Sequence, residues 1–282
     1  MHAFKDLLAA YTRHMNEERD LSPKTVAAYL YDIGQFEAWA GSPAIPAITP
    51  AMLSGFLASL MESRRARCLA SVAGLLKFAV REGVIPSSPA MHVSQPVVRQ
   101  KAPRFLTIPE VAMILRPIDR RETIGARDFA IISTLAFAGL RLGEIVNLNL
   151  RDVRLDVGTI RASGKGGKVR VLPLHAAAAS AIREWIEVRP PYDSDAMFLS
   201  RFAKRIAIRT VENVCKVRGA AGGFPDLHPC MLRHTFATAL YGNGVDLLEI
   251  QALLGHSSIM STAIYTHTDP ARLAGAVATI RP

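Results

Sequence analysis

The sequence predicts a mainly α-helical protein in two domains, with one small β-sheet inside the second. Three observations carry that expectation. Amphipathic helical periods recur from about residue 3 to 92, a proline-rich basic break follows, and a short alternating segment between about residues 152 and 174 interrupts a second helical region. The expected division is 1–94 for a helical domain, 95–105 for a linker and 106–282 for an α+β domain.

In the first domain, apolar residues return at helical spacing in Phe4 to Met15, Thr25 to Ala40, Ala51 to Ser63 and Cys68 to Glu82. Ser22-Pro23 and Thr49-Pro50 each read as an N-cap followed by a first-turn proline, because proline lacks only an N–H that the first turn leaves unpaired anyway. Gly41-Ser42-Pro43 and Gly83 end helices. The stretch Gln95-Pro96-Val97-Val98-Arg99-Gln100-Lys101-Ala102-Pro103-Arg104 has no sustained apolar period and reads as a positively charged linker.

Thr107-Ile108-Pro109-Glu110 combines an N-cap, a proline and an early acidic residue, so a second helical region starts there and is expected to continue past Arg141. Gly158 to Ala162 and Lys168 to Val171 read as strands joined by the turn Gly164-Lys165-Gly166-Gly167, which puts Lys165 at a hairpin tip. Helices resume near Ala176. Met231 to Ile280 reads as three or four short helices broken by Gly242-Asn243-Gly244 and Gly255.

Composition narrows the classes. The chain has 282 residues, is 50% hydrophobic and carries a net charge of +10, mostly as arginine, whose planar fork suits phosphate oxygens. A polyanionic partner is expected. The uncharged run from Phe129 to Leu140 is too short for a membrane span, and the first residues lack the order of a signal peptide, which predicts a cytoplasmic, nucleoid-associated protein. Three widely spaced cysteines, Cys68, Cys215 and Cys230, suit a reducing compartment and form neither a disulfide framework nor a zinc ligand set.

The chemistry-bearing residues fall in Ala138-Gly139-Leu140-Arg141-Leu142-Gly143-Glu144-Ile145, Met231-Leu232-Arg233-His234-Thr235, Leu253-Leu254-Gly255-His256-Ser257 and Ser261-Thr262-Ala263-Ile264-Tyr265. Together with Leu21-Ser22-Pro23-Lys24-Thr25 and Leu106-Thr107-Ile108-Pro109-Glu110, they make the chain resemble the tyrosine recombinases, the family of phage integrases and Xer-type enzymes, over nearly its whole length. The resemblance implies an N-terminal helical, SAM-like core-binding domain and a C-terminal catalytic domain that clamp duplex DNA. It implies that Arg141 and Arg233 bind phosphate, that Lys165 is the hairpin lysine, that His256 is the second histidine-class position and that Tyr265 is the nucleophile.

The residue types suit that chemistry. A phenol ionises near ~10, so Tyr265 attacks phosphorus at neutral pH only where a base or nearby cations favour the phenolate. Two arginines can each hold nonbridging oxygens and neutralise charge that grows in the transition state, where losing one such donor costs about 2.7–4 kcal/mol. Glu144, three residues after Arg141, is expected to share a helix face with it and fix its guanidinium. Lys165 can protonate the leaving 5′ oxygen, a task that arginine's high pKa prevents. His256 can donate to the same phosphate. Taken singly, each has a plainer reading, as a salt-bridged arginine, a helix-capping histidine or a half-buried tyrosine. Their joint order and spacing, 24 residues from Arg141 to Lys165, 23 from Arg233 to His256 and 9 from there to Tyr265, favours the site.

One position departs from the family's Pro-His-x-x-Arg pattern: Pro229 is followed by Cys230, and a histidine stands two residues earlier at His228. Cys230 is read as a partial substitute drawn toward thiolate by Arg233, with His228 as an alternative if its loop is displaced, or as a change that lowers activity. A zinc site from His228, Cys230, His234 and His256 is disfavoured by its spacing, and neither a metal nor a cofactor is expected. Candidate DNA contacts are Lys24, Arg64, Arg65, Arg67, Lys168 and Arg170, the three central arginines being placed just before a helix that starts near Cys68. The expected partners are double-stranded DNA with a specific site, copies of the chain in a synaptic tetramer docked through the tail after Tyr265, and a second recombinase or accessory DNA-bending protein. Recombination is the leading reading; a recombinase-derived DNA-binding protein that no longer cleaves is the alternative, motivated by Cys230. Within the enzyme reading, the lack of an extra N-terminal domain favours a Xer-like system over a mobile-element integrase.

Overall fold

A computed structural model describes residues 4–94, 104–164, 167 and 169–255. It divides into two compact units, 1–101 and 102–282. The first is all helical. Helix α1 (Phe4–Arg13) runs into a π turn at His14–Glu18 and is followed by α2 (Pro23–Trp39), α3 (Pro50–Ser59) and α4 (Glu62–Arg81). Ser22 and Thr49 cap α2 and α3 by accepting from the amides of Thr25 and Met52, each at 3.2 Å. Tyr11, Ile33, Phe36, Phe56, Leu75 and Leu76 fill the core between α4 and the other three helices.

One boundary differs from the expected one. Helix α4 starts at Glu62 rather than near Cys68, so Arg64, Arg65 and Arg67 lie within its first two turns and not ahead of it. Arginine is a good helix former, and a helix end that lies against solvent shows no apolar period to read. Arg67 and Arg64 approach the fully buried carboxylate of Asp32 on α2 at 3.1 and 3.7 Å, as ion pairs, while Ser71 donates a hydrogen bond to the same side chain at 3.1 Å. Arg65 turns back to donate to the carbonyl of Leu60 at 3.0 Å.

The second unit is built around a central helix. Helix α5 (Ile108–Leu115) opens with a capping box in which the Thr107 amide donates to Glu110 at 2.6 Å and the Glu110 amide donates to Thr107 at 3.4 Å. Helix α6 (Thr123–Ala138) is buried on nearly all sides, packed by α8 (Ala176–Val188) and α10 (Pro229–Gly242). The helical region continues past Arg141 as expected, but not as one helix. Helix α6 stops at Gly139, whose φ of +61° suits a residue without Cβ, and a methyl there would lie 2.3 Å from the Phe236 ring. The chain restarts as α7 (Leu142–Asn147), with Arg141 at its N-cap.

Strands β1 (Val153–Arg154), β2 (Thr159–Ser163) and β3 (Val169–Pro173) form an antiparallel sheet in that order. β1 was not anticipated, since two residues are too few for an alternating signal. Ala162 opposes Arg170 and Ile160 opposes Leu172, so Arg170 shares the inward face with three apolar residues while Val169 and Val171 face outward. Helices α9 (Ile208–Ala221) and α11 (Leu247–Leu254) are the unit's other α-helices among the described residues, and α11 ends in Gly255 at φ +63°. Among the described residues no helix is long and apolar enough to cross a membrane.

Candidate active site

Three elements of the second unit, α7, β3 and α10, meet at the buried carboxylate of Glu144. The break at Gly139 places Arg141 at the start of α7, where its amide donates to Glu144 Oε2 at 2.8 Å and its guanidinium to Oε1 at 2.9 Å. The two residues thus pair across a helix cap, not along the face of a continuous helix. From β3, Arg170 reaches the same carboxylate with two N–H groups, at 2.6 Å to Oε1 and 2.9 Å to Oε2. Arg233 on α10 brings its Nη1 to 4.0 Å from Oε2 and donates to the Gly139 carbonyl at 2.6 Å.

The same arginines converge on the end of α11. Arg170 donates to the carbonyl of Leu253 at 2.9 Å, Arg233 to that of Leu254 at 2.7 Å and Arg141 to that of Gly255 at 2.5 Å. These are carbonyls that a helix C-terminus leaves unpaired, at the negative end of its dipole. One carboxylate among three guanidinium groups leaves a surplus of positive charge, the condition for binding an oxyanion.

Glu144 is ionised in this setting. Burial pushes its carboxyl up, but the bonds from Arg170 and from the amide and guanidinium of Arg141 outweigh burial and hold it below the ordinary value. Exposure grades the arginines: the side chain of Arg141 is 39% exposed, Arg170 16% and Arg233 8%. Arg141 is therefore the most open of the three guanidinium groups and Arg233 the most enclosed.

Cys230 is exposed at the start of α10, three residues before Arg233, in a shallow groove shared with Leu142, Glu212, Lys216 and His228. His228 is the N-cap of α10, its Nδ1 accepting from the Met231 amide at 3.2 Å, so one ring nitrogen is already committed there. Burial, with His228 and Arg233 as neighbours, lowers the pKa of half-buried His234, which keeps it neutral at pH 7. Lys165, Lys168, His256 and Tyr265 lie outside the described residues. Arg170, expected to face DNA, instead has its guanidinium turned inward onto Glu144 and Leu253. The sequence held no signal for this, because alternation alone reads Arg170 between two valines as the outward residue. The carbonyls of Leu253 to Gly255 carry no side-chain signature and were not anticipated.

Comparison with known proteins covers both units. The profile of the phage integrase family matches residues 104–272, and that of the phage integrase N-terminal SAM-like domain matches residues 8–83. A tyrosine recombinase XerC of Pelobacter propionicus is 34% identical over 284 residues, covering 97% of this chain and 94% of that protein. A XerC of Pseudomonas savastanoi pv. phaseolicola is 36% identical over 278 residues, covering 95% of this chain and 93% of that protein. Among solved structures, the XerH site-specific recombinase bound to a palindromic difH substrate is 25% identical with a TM-score of 0.75, covering 98% of this chain and 84% of that one. A lambda integrase dimer on a COC′ core site shares the fold at a TM-score of 0.77 and 16% identity, covering 95% of this chain and 98% of that one.

Proposed function

Because the chain belongs to the phage integrase family, we propose that it is a Xer-like tyrosine recombinase that cuts and rejoins DNA at a specific site. The Tyr265 phenol gives its proton to solvent as its oxygen attacks a backbone phosphorus and the bond from phosphorus to the 5′ oxygen breaks. The products are a 3′-phosphotyrosine and a 5′-hydroxyl that has taken a proton from Lys165. Attack by the 5′-hydroxyl of a partner strand reverses the chemistry and passes through a Holliday junction. The covalent bond conserves the phosphodiester energy, so no cofactor is required. Arg141 and Arg233 hold the nonbridging oxygens, and His256 donates to the same phosphate.

The observation that supports this reading most is the convergence of Arg141 and Arg233, 92 residues apart in sequence, on one carboxylate and one helix end. The solved relatives include recombinases bound to DNA as a dimer and as a tetramer on a Holliday junction, which supports a DNA-bound assembly of several copies here. Incubation with fragmented genomic DNA, followed by denaturing electrophoresis and sequencing of trapped DNA, tests the reading. A covalent adduct lost in Tyr265→Phe is expected, and its absence from the parent protein would overturn the assignment.

Cys230 favours a second reading, a DNA-binding protein of recombinase descent with reduced or lost cleavage. A thiol stands where the family places an imidazole, and His228 has one ring nitrogen engaged in capping. Cys230→His separates the two: a rise in cleavage rate marks the thiol as a handicap, and an unchanged rate counts against that role.

A further inference from the structure

Arg170 takes no part in the chemistry just described, yet its one guanidinium bonds both oxygens of Glu144 and a carbonyl in the last turn of α11. We propose that Arg170 is a positioning residue for cleavage: from β3 it locks Glu144, and through Glu144 the guanidinium of Arg141, to the last turn of α11. This rests on the recombinase reading.

The geometry uses the whole guanidinium fork. Nη1 and Nη2 meet the two oxygens of Glu144 and Nε meets the Leu253 carbonyl, so one rigid plane spans α7 and α11. The strand register directs it there, since Arg170 opposes Ala162 on the covered face of the sheet. Gly255 leaves room for it: a Cβ at that position would lie 3.1–3.3 Å from Nη1, Cδ and Cζ of Arg170. Because Glu144 also accepts the Arg141 amide and Nη1, its rotation would carry Arg141 with it. The Leu253 carbonyl lies two residues before Gly255, after which His256 follows directly in the chain. Loss of Arg170 therefore loosens a phosphate-binding arginine and the point from which the histidine-bearing segment departs. Lysine retains the charge but has one nitrogen on a flexible stem and cannot hold three acceptors in one plane.

The test uses full-length Arg170→Lys and Arg170→Gln in single-turnover cleavage of a nicked duplex built on the site that the parent protein traps covalently. Filter binding to the same duplex and hydrogen exchange of the free protein run alongside. The proposal expects cleavage about 10–100-fold slower in both variants, the loss that a displaced reacting group produces. It expects DNA affinity close to that of the parent and faster exchange in the last turn of α11 but not in α10. The lysine variant keeps a cation beside Glu144, so it remains informative if the glutamine variant does not fold. Unchanged cleavage by Arg170→Lys would overturn the proposal, as would a loss of cleavage matched by loss of DNA binding, which would make Arg170 a DNA contact. A parent protein that traps no DNA would instead overturn the recombinase reading, and the proposal with it.

Discussion

Replacing Glu144 with glutamine preserves volume and removes one charge from the centre of the cluster. The carboxylate accepts four hydrogen bonds, one from the amide and one from the guanidinium of Arg141 and two from Arg170, at 2.6–2.9 Å. A carboxamide keeps its oxygen but turns an NH2 toward donors, so about two of the four are lost, each charge-assisted bond being worth about 1.5–3 kcal/mol. Relief of the buried charge and rehydration of half-open Arg141 offset part of that loss. A net destabilisation of about 3 kcal/mol follows, at the lower end of what breaking a buried ion pair costs. In a unit of this size that lowers its melting temperature by about 6–12 °C. The effect is pH-dependent. Glu144 has a folded pKa below its ordinary value near 4.5, so its contribution is complete above that value and is lost as the pH falls through the lower, folded one. Thermal melts of the parent and Glu144→Gln, read from pH 7 downward, should converge in acid. A gap of less than about 1 kcal/mol at pH 7, or one that does not narrow in acid, would refute the claim that an ionised Glu144 organises the arginines.

Two other predictions concern the residues that set up the two units. Gly139→Ala places a methyl 2.3 Å from the Phe236 ring at a φ of +61°, so backbone strain of about 1–2 kcal/mol adds to overpacking of about 1–3 kcal/mol. Chemical denaturation should show the second unit weakened by the sum, and a change below about 1 kcal/mol would mean that Phe236 has room to withdraw. In the first unit, Asp32→Asn leaves Arg64 and Arg67 without their buried counter-charge and should cost about 1–3 kcal/mol, read as faster hydrogen exchange in α2 and α4. No change would show that water replaces Asp32 at the exposed side of Arg67.

The elements that announce themselves by caps or periods were legible in the sequence. Ser22-Pro23, Thr49-Pro50 and Thr107-Pro109-Glu110 state where a helix begins because each residue satisfies a named backbone group. The start of α4 was hidden because its first turns carry glutamate and arginines and show no apolar period, and the break at Gly139 because apolar residues continue through it on both sides. Glycine inside an apolar run is ambiguous in sequence. It became decisive only when Phe236, far along the chain, was seen to occupy the place of its side chain. In the site, Arg141 and Arg233 could be picked out through the family resemblance and Glu144 through its spacing from Arg141. Their acceptors could not, because main-chain carbonyls at the end of a helix look alike in every sequence.

That difference explains why the inward turn of Arg170 was not legible. A basic residue between two valines in a hairpin reads as a solvated charge, and a charge on a DNA-binding protein then reads as a phosphate contact. The strand's alternation decides the matter only after its register is known: with Ala162 opposite, Arg170 is on the covered side, where an unpaired guanidinium would be costly and a carboxylate is needed. Glu144 fills that need, and in doing so it is shared with Arg141. The inward arginine and the outward one are therefore coupled through a single anion. A substitution that changes nothing near solvent, at β3 or at the end of α11, acts on the most exposed guanidinium of the cluster. The buried carboxylate and the α11 carbonyls together hold three mutually repelling guanidinium groups in one cluster.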